Sequence, residues 1–239
     1  MKSRLLRSQI FLLLIVAAAP MVQAKHRRPL PTPQINSAAF VNQIDNPLFP
    51  LDPGTTFSYR GTKEGVPTSD EFTVTHQTKK IAGVTCTVVT DLAFENGVLV
   101  ERTTDYFAQD VQGNVWYFGE DTQELDSNGN VISTEGTWRA GVNGAQPGII
   151  MEAQPRVGDR YNQENAPGVA QDMARVLSLK KSECVPYGCF DDLLLTRESS
   201  PLDPGSVEQK YYVRSIGFIR GELVKGGSEV NELVSITKQ

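Results

Sequence analysis

Histidine and cysteine are scarce in this chain of 239 residues, with two of the first and three of the second. A tetrahedral metal centre needs several N, S or carboxylate donors at short spacing, and His26, His76 and Cys86 are far apart, so no metal is expected. The sequence also lacks a G-x-S-x-G elbow, a phosphate-cradling loop ending in Lys-Ser/Thr, and a dinucleotide glycine triplet with a long helix behind it. A serine–histidine pair would have to use His76, in the strand-like run THQT, or His26. No cofactor is called for, and the chain reads as leaning away from an enzyme. Past residue 24 there is no apolar run of the length a helix needs to cross a bilayer.

The first 24 residues carry what the rest does not. Lys2, Arg4 and Arg7 precede the apolar run from Ile10 to Ala19, and Val22-Gln23-Ala24 has the small-x-small pattern of a leader-peptidase site. The expectation is a signal peptide over 1–24 and export to the periplasm or the extracellular space. No cysteine stands at the cleavage site to receive a lipid. Removal of the leader leaves 20 basic and 28 acidic residues, a formal charge of −8. Such a field repels nucleic acid, and the one dense basic stripe, Lys25-His26-Arg27-Arg28, sits directly behind the leader. An oxidising compartment favours a disulfide between Cys184 and Cys189, whose CVPYGC segment has turn chemistry at its centre. Cys86, within an apolar run, reads as a small buried hydrophobe.

Residues 25–45 are rich in Pro, Asn and Gln and read as an extended tether before a single antiparallel β domain over 46–239. Short β-branched and aromatic runs alternate with Gly, Asn and Asp from there on. Strands are expected over Thr55–Arg60, Asp70–Thr78, Ile81–Phe94 and Val98–Ala108, with Asn96-Gly97 as a tight hairpin turn between the last two. Gly113-Asn114 and Asn128-Gly129 repeat the device, and four further strands are expected from Phe190 to Thr237. The segment from Gly141 to Asp159 has glycines, prolines and no usable period, and reads as a long rim loop. Ala166–Leu179 fits a short helix, while Met173–Leu179 also alternates as a strand, and both readings stay open. The fold class is therefore all-β and mainly antiparallel: a curved sheet or a partly closed β-barrel or half-barrel with at most one short helix.

Three groups of residues invite chemistry. Asp126, Asn128, Asn130 and Glu135 suggest a calcium loop, but Gly129 and Glu135 fall at the wrong loop positions and the same residues suit a tight hairpin. Asp105, Asp110, Glu120 and Asp121 flank the aromatic run Trp116-Tyr117-Phe118, and two facing carboxylates could hydrolyse a glycan. The strand aromatics could pack a core or, if the sheet curls around empty space, line an apolar pocket. On that second reading Tyr106, Trp116, Phe118, Trp138 and Met151 are the expected lining.

The stretches NPLFPLDPGTTFSYRG, DYFAQDVQGNVWYFGED, GAQPGIIM with VGDRYNQENAPGVAQDMARVLSL, and CVPYGCFDDLLLTRESSPLDPGSVEQKYYVRSIGFI together resemble a family of exported bacterial proteins of unknown function, over roughly Asn46 to Ile236. The resemblance implies a β-rich domain and brings no catalytic residue with it. The closing pattern, KYY followed by a Gly-containing strand, is also similar to exported half-barrels that carry lipids or lipoproteins. This chain has Arg214-Ser215-Ile216-Gly217 where that pattern has a small Gly-rich turn. The expectation is an exported, non-enzymatic domain that binds an apolar or amphipathic small ligand such as a lipid, or a cell-envelope partner. A glycan hydrolase and a structural or adhesive surface module are the alternatives.

Overall fold

The structure is a computed structural model and describes residues 35–239, which form sixteen strands and one 3-10 turn at Ser37–Ala39, with no α-helix among the described residues. The expected leader, its cleavage site and the first part of the tether lie outside the described residues. The tether ends earlier than its composition suggests. Ile35 and Phe40 pack against the core, β1 (Phe40–Val41) pairs with a central strand, and Ile44 is buried. A few widely spaced apolar residues suffice to anchor a segment whose average composition is polar.

After β1 come β2 (Thr55–Lys63), β3 (Val66–Ile81), β4 (Val84–Glu95), β5 (Val98–Asp110) and β6 (Val115–Leu125), a consecutive antiparallel meander. The β4–β5 turn is the expected Asn96-Gly97, with φ of 51° and 77°, the left-handed pair that matches the twist of the flanking strands. The short strands β7 (Val131–Ser133), β8 (Trp138–Arg139) and β9 (Gln146–Met151) all pair with β6. Strand β9 occupies the middle of the expected rim loop, because Gly148-Ile149-Ile150-Met151 supplies a β-forming run that the surrounding glycines obscure.

The chain then passes through β10 (Arg160–Asn162) and β11 (Glu164–Asn165) into a second meander, β12 (Met173–Val185), β13 (Gly188–Ser200), β14 (Asp203–Val213), β15 (Gly217–Lys225) and β16 (Glu229–Lys238). The short helix over 166–179 does not form. Ala166–Ala170 is a tight turn, and from Met173 the chain alternates exposed Met173 and Arg175 with buried Ala174 and Val176. Period two and a β-branched valine favour the strand.

Strand β16 pairs with β2, which joins the two meanders into one sheet running from β10 round to β11. Those terminal strands are neighbours in sequence, separated by Gln163 alone. One half of this short segment bonds to β12 and the other half to β9, so the barrel is nearly closed and one seam is left without a ladder. At the seam a Cβ on Gly148 would lie 2.2 Å from the Gln163 carbonyl oxygen, so only glycine admits the crossing chain.

The interior is filled by the chain's own side chains. Phe107 stacks on Tyr117 with ring centroids 4.7 Å apart, Tyr117 meets Trp138 edge-on at 5.5 Å, and Phe49 meets Phe107 at 5.4 Å. Phe49 belongs to the segment 44–51, which inserts Ile44, Leu48, Phe49 and Leu51 as a plug. The plug is held by polar contacts across long sequence distances. Gln109 Oε1 accepts from the Asp45 and Asn46 amides, Gln109 Nε2 donates to Asp45, and Asn46 Nδ2 donates to the carbonyls of Gly113 and Glu152.

Two substitutions test this arrangement. Phe107→Ala is expected to lower unfolding stability in urea by about 3–5 kcal/mol, since it opens a cavity among the rings of Phe49, Phe72 and Tyr117. Asn46→Ala is expected to cost about 2 kcal/mol, because it leaves buried backbone groups unpaired. An unchanged urea midpoint for Asn46→Ala would mean that the plug is held by its apolar residues alone.

Candidate functional site

Strand register divides the aromatic residues expected to line one pocket between two faces of the sheet. Tyr117 donates to Asp105 across the interior, and the same face carries Met151, paired with the buried Val115, and Trp138, which abuts Tyr117. Tyr106, Trp116 and Phe118 lie on the outer face. There Phe40 packs edge-on against both Trp116 and Phe118, at 6.4 and 5.4 Å. Tyr106 donates to Asp121, the Arg139 guanidinium sits 4.7 Å above the Tyr106 ring, and Arg139 also pairs with Asp121. Burial and this Asp121 contact push the Tyr106 hydroxyl up to about 12. Of the five, Trp138 lines a groove of about 260 Å³, together with Val142, Ala145, Ala166, Pro167 and Val169. The turn Gly141–Ala145, whose end residues are joined by a Gly141 N–H to Ala145 carbonyl bond, forms one wall.

Of the carboxylates considered for glycan hydrolysis, Asp105 and Glu120 are opposed in register on the buried face, out of reach of a glycan, and Asp110 and Asp121 stand apart from them. Asp110 organises a turn, accepting from the Gln112 and Asn114 amides, from Asn114 Nδ2 and from the Trp116 indole. Glu120 points inward and Asp121 outward. Asp126 accepts from the Asn128 and Asn130 amides and from Asn130 Nδ2, the contacts of a hairpin turn, and these bonds hold its carboxyl below the usual range. His76 is exposed on β3. Cys184 and Cys189 form the expected disulfide across the β12–β13 turn. Cys86 is fully buried and burial pushes its thiol up to about 12, which makes it a packing residue.

A polar interior at one end of the barrel has no counterpart in the sequence expectations. Asp70, Asp91, Glu101, Asp105, Glu120 and Glu164 are all at most 8% exposed, as is Glu198. They are brought together by register: Val89 faces Asp105, Ala93 faces Glu101, and Asp105 faces Glu120. Two buried lysines answer them, Lys63, which pairs with Glu95 at 3.3 Å, and Lys210. Lys210 Nζ lies 2.9 Å from Glu198 and 3.3 Å from Glu208, and the two carboxylates keep it charged against the pull of burial. A cavity of about 40 Å³ opens beside this group between Asp172, Glu198, Asp203, Glu208 and Glu229, room for roughly three waters. No group of three or more His, Cys, Asp or Glu side chains among the described residues is disposed to hold a metal ion. The signal for these acids was parity: Asp70 is in phase with Phe72 and Val74, and Glu208 with Lys210 and Tyr212, so each carries its charge on the buried face.

Burial dominates the chemistry of the group. It pushes the Asp70 and Asp172 carboxyls up to about 7, and that of Glu208 to about 8 although Lys210 pulls the other way. Asp91, Asp105, Glu120 and Glu164 are raised well above the carboxylate range, by burial first and by neighbouring carboxylates second. Neither oxygen of Glu164 has a hydrogen-bond partner.

No protein-family model matches the chain, and no curated protein matches it. Among solved structures, the chain is similar to a protein of Bacteroides fragilis described as a proposed exported protein with a YmcC-like fold, at 13% identity and a TM-score of 0.47, covering 80% of this chain and 99% of that one. It is also similar to a proposed lipoprotein of Parabacteroides distasonis, at 10% identity and a TM-score of 0.43, covering 80% and 98%. No helix among the described residues is long and apolar enough to cross a membrane.

The buried acids set a pH dependence. Their carboxyls hold protons in the folded state that the unfolded chain releases near pH 4, so the unfolded state binds fewer protons and stability falls as pH rises from about 4 to about 8. The melting temperature at pH 5 is expected to exceed that at pH 8 by roughly 5 °C. Glu164→Gln should recover part of the difference by raising the value at pH 8. Equal melting temperatures at the two pH values would show that the acids ionise freely in the folded barrel.

Proposed function

We propose that this chain is an exported, non-enzymatic β domain that binds an apolar or amphipathic small molecule, or an apolar portion of a cell-envelope partner, in the groove beside Trp138. Export is supported by the basic and apolar halves of the first 24 residues and by the Cys184–Cys189 disulfide, which persists in an oxidising space.

One observation carries the choice of site. The barrel interior is occupied by the protein's own rings and by its buried acids, so a ligand would meet the outside of the fold. The groove beside Trp138 is bounded by apolar Val142, Ala145, Pro167 and Val169, and Val142 is 52% exposed. Arg139 at its edge is paired with Asp121 through Nη2 and keeps Nη1 without a hydrogen-bond partner, a donor for the polar end of an amphipath, and apolar walls with one or two placed polar groups are the usual make-up of a small-ligand site. The groove is too small to enclose a whole two-chain lipid and fits a single acyl chain or a compact ring system.

Trp116→Phe leaves Trp138 as the sole indole and therefore as a reporter. A brominated fatty acid is expected to quench its fluorescence saturably, and adding Val142→Glu, which sets a charge into the groove from an exposed position, should weaken that binding about tenfold at an unchanged melting temperature. Native mass spectrometry of protein taken from its own compartment should show a ligand-bearing species. Quenching that stays linear with concentration and ignores Val142→Glu would refute the groove as the binding site.

A further inference from the structure

We propose that the outer surface of β10, β12 and β13 is a binding site for a phosphate-bearing anion, built on Arg160, Arg175 and Arg197. Ladder register places the three directly opposite one another: Arg160 faces Arg175 on β12, and Arg175 faces Arg197 on β13. Directly opposed residues on adjacent antiparallel strands stand about 5 Å apart, so three guanidinium groups share a row roughly 10 Å long. All three are exposed.

Like charges placed opposite one another weaken a sheet, and here nothing in the protein relieves them. Among the described residues none of the three arginines takes part in an ion pair. Ion pairs in this chain form elsewhere, Arg139 with Asp121, Arg220 with Glu222 and Glu232, Lys63 with Glu95, Lys210 with Glu198 and Glu208, and Lys238 with Asp52, while other exposed cations stand singly and only these three are stacked opposite one another in one ladder row. Along the row the next residues are Gln209 on β14 and Glu222 on β15, and Glu222 is already taken by Arg220. An unrelieved cationic row on a protein of net charge −5 is a local reversal of sign, and solution salt confines its reach to about 10 Å.

The row also has a shape. The three arginines line a groove of about 250 Å³, and the adjoining register row adds the side chains of Asn162, Met173 and Ser199. Asn162 and Ser199 supply further hydrogen-bond donors, and Met173, 42% exposed, supplies an apolar contact. A planar carboxylate is saturated by one or two guanidinium forks. Three forks with flanking amide and hydroxyl donors match a tetrahedral group that presents three free oxygens and up to two negative charges. The site is distinct from the groove beside Trp138 and does not depend on it.

The test uses two probes on the purified protein at low salt: inorganic phosphate, followed by calorimetry, and phosphatidylcholine vesicles with or without phosphatidic acid, followed by flotation. The protein is expected to float with the phosphatidic acid vesicles and not with phosphatidylcholine alone, and Arg175→Gln should weaken this about tenfold. The triple change Arg160→Gln, Arg175→Gln, Arg197→Gln should abolish it while leaving the melting temperature equal or higher, because the repulsion is gone. Free phosphate that displaces the vesicles would assign the site to the phosphate group itself, and failure to displace them would assign it to the lipid headgroup at a surface. Binding of neither probe, or binding by the triple variant equal to that of the wild type, would overturn the proposal. Val142→Glu is expected to have no effect on either probe, so loss of the Trp138 groove and loss of the arginine site are separately visible.

Discussion

A sheet that curls on itself must dispose of two edges, and here a six-residue segment disposes of both. Arg160–Asn162 bonds to β12 and Glu164–Asn165 bonds to β9, with the buried Gln163 between them donating its amide to the Asp172 carbonyl. The arginine row, the inward Glu164 and one wall of the groove beside Trp138 are hung from that crossing. Alternation turns Arg160 and Asn162 outward, the break in that alternation at the buried Gln163 turns Glu164 inward among the acids, and the chain runs on to Ala166, Pro167 and Val169, which form one wall of the groove beside Trp138. The absence of a ladder between the two halves leaves one seam open, and the tight approach to Gly148 is what holds it narrow.

The closed interior has two characters. One end is aromatic and plugged by Ile44–Leu51, and the other is lined by carboxylates that outnumber the two buried lysines, Lys63 and Lys210. The apolar end supplies the cohesion, because stacked and edge-on rings lose water and pack densely. The acidic end works against it whenever its groups ionise, because charge is costly to bury without a partner. A barrel made this way is held from one end and strained by pH from the other.

Much of the architecture was legible from residue order. Asn96-Gly97, the alternation of TTFSYR and the closing run from Phe190 to Thr237 each carry a local physical requirement, left-handed φ or period-two burial, that a reader of the chain can recognise. The disulfide was legible for the same reason, since Pro186-Tyr187-Gly188 turns the chain back within a few residues. The candidate sites were less so. Tyr106, Trp116, Phe118, Trp138 and Met151 share a composition but not a face: Met151 is opposite Val115, one residue out of phase with Trp116, and an extra residue in β6 between Tyr117 and Glu120 sets Trp138, opposite Glu120, on the other side from Phe118. A single inserted residue reverses which side chains look inward.

The sequence by itself determined an all-β chain with tight hairpins, a five-residue disulfide separation and the basic and apolar pattern of a leader, since each of these depends on neighbours within a few positions. Tertiary structure alone decided that Arg160, Arg175 and Arg197 stand in one row, that Glu164 faces Glu120 and Lys210 across the interior, and that residues 44–51 fill the barrel end. Those outcomes depend on which strands become neighbours and in what register. Pairing of that kind is set by closure of the whole sheet and the burial it achieves, and no short stretch of the chain contains it.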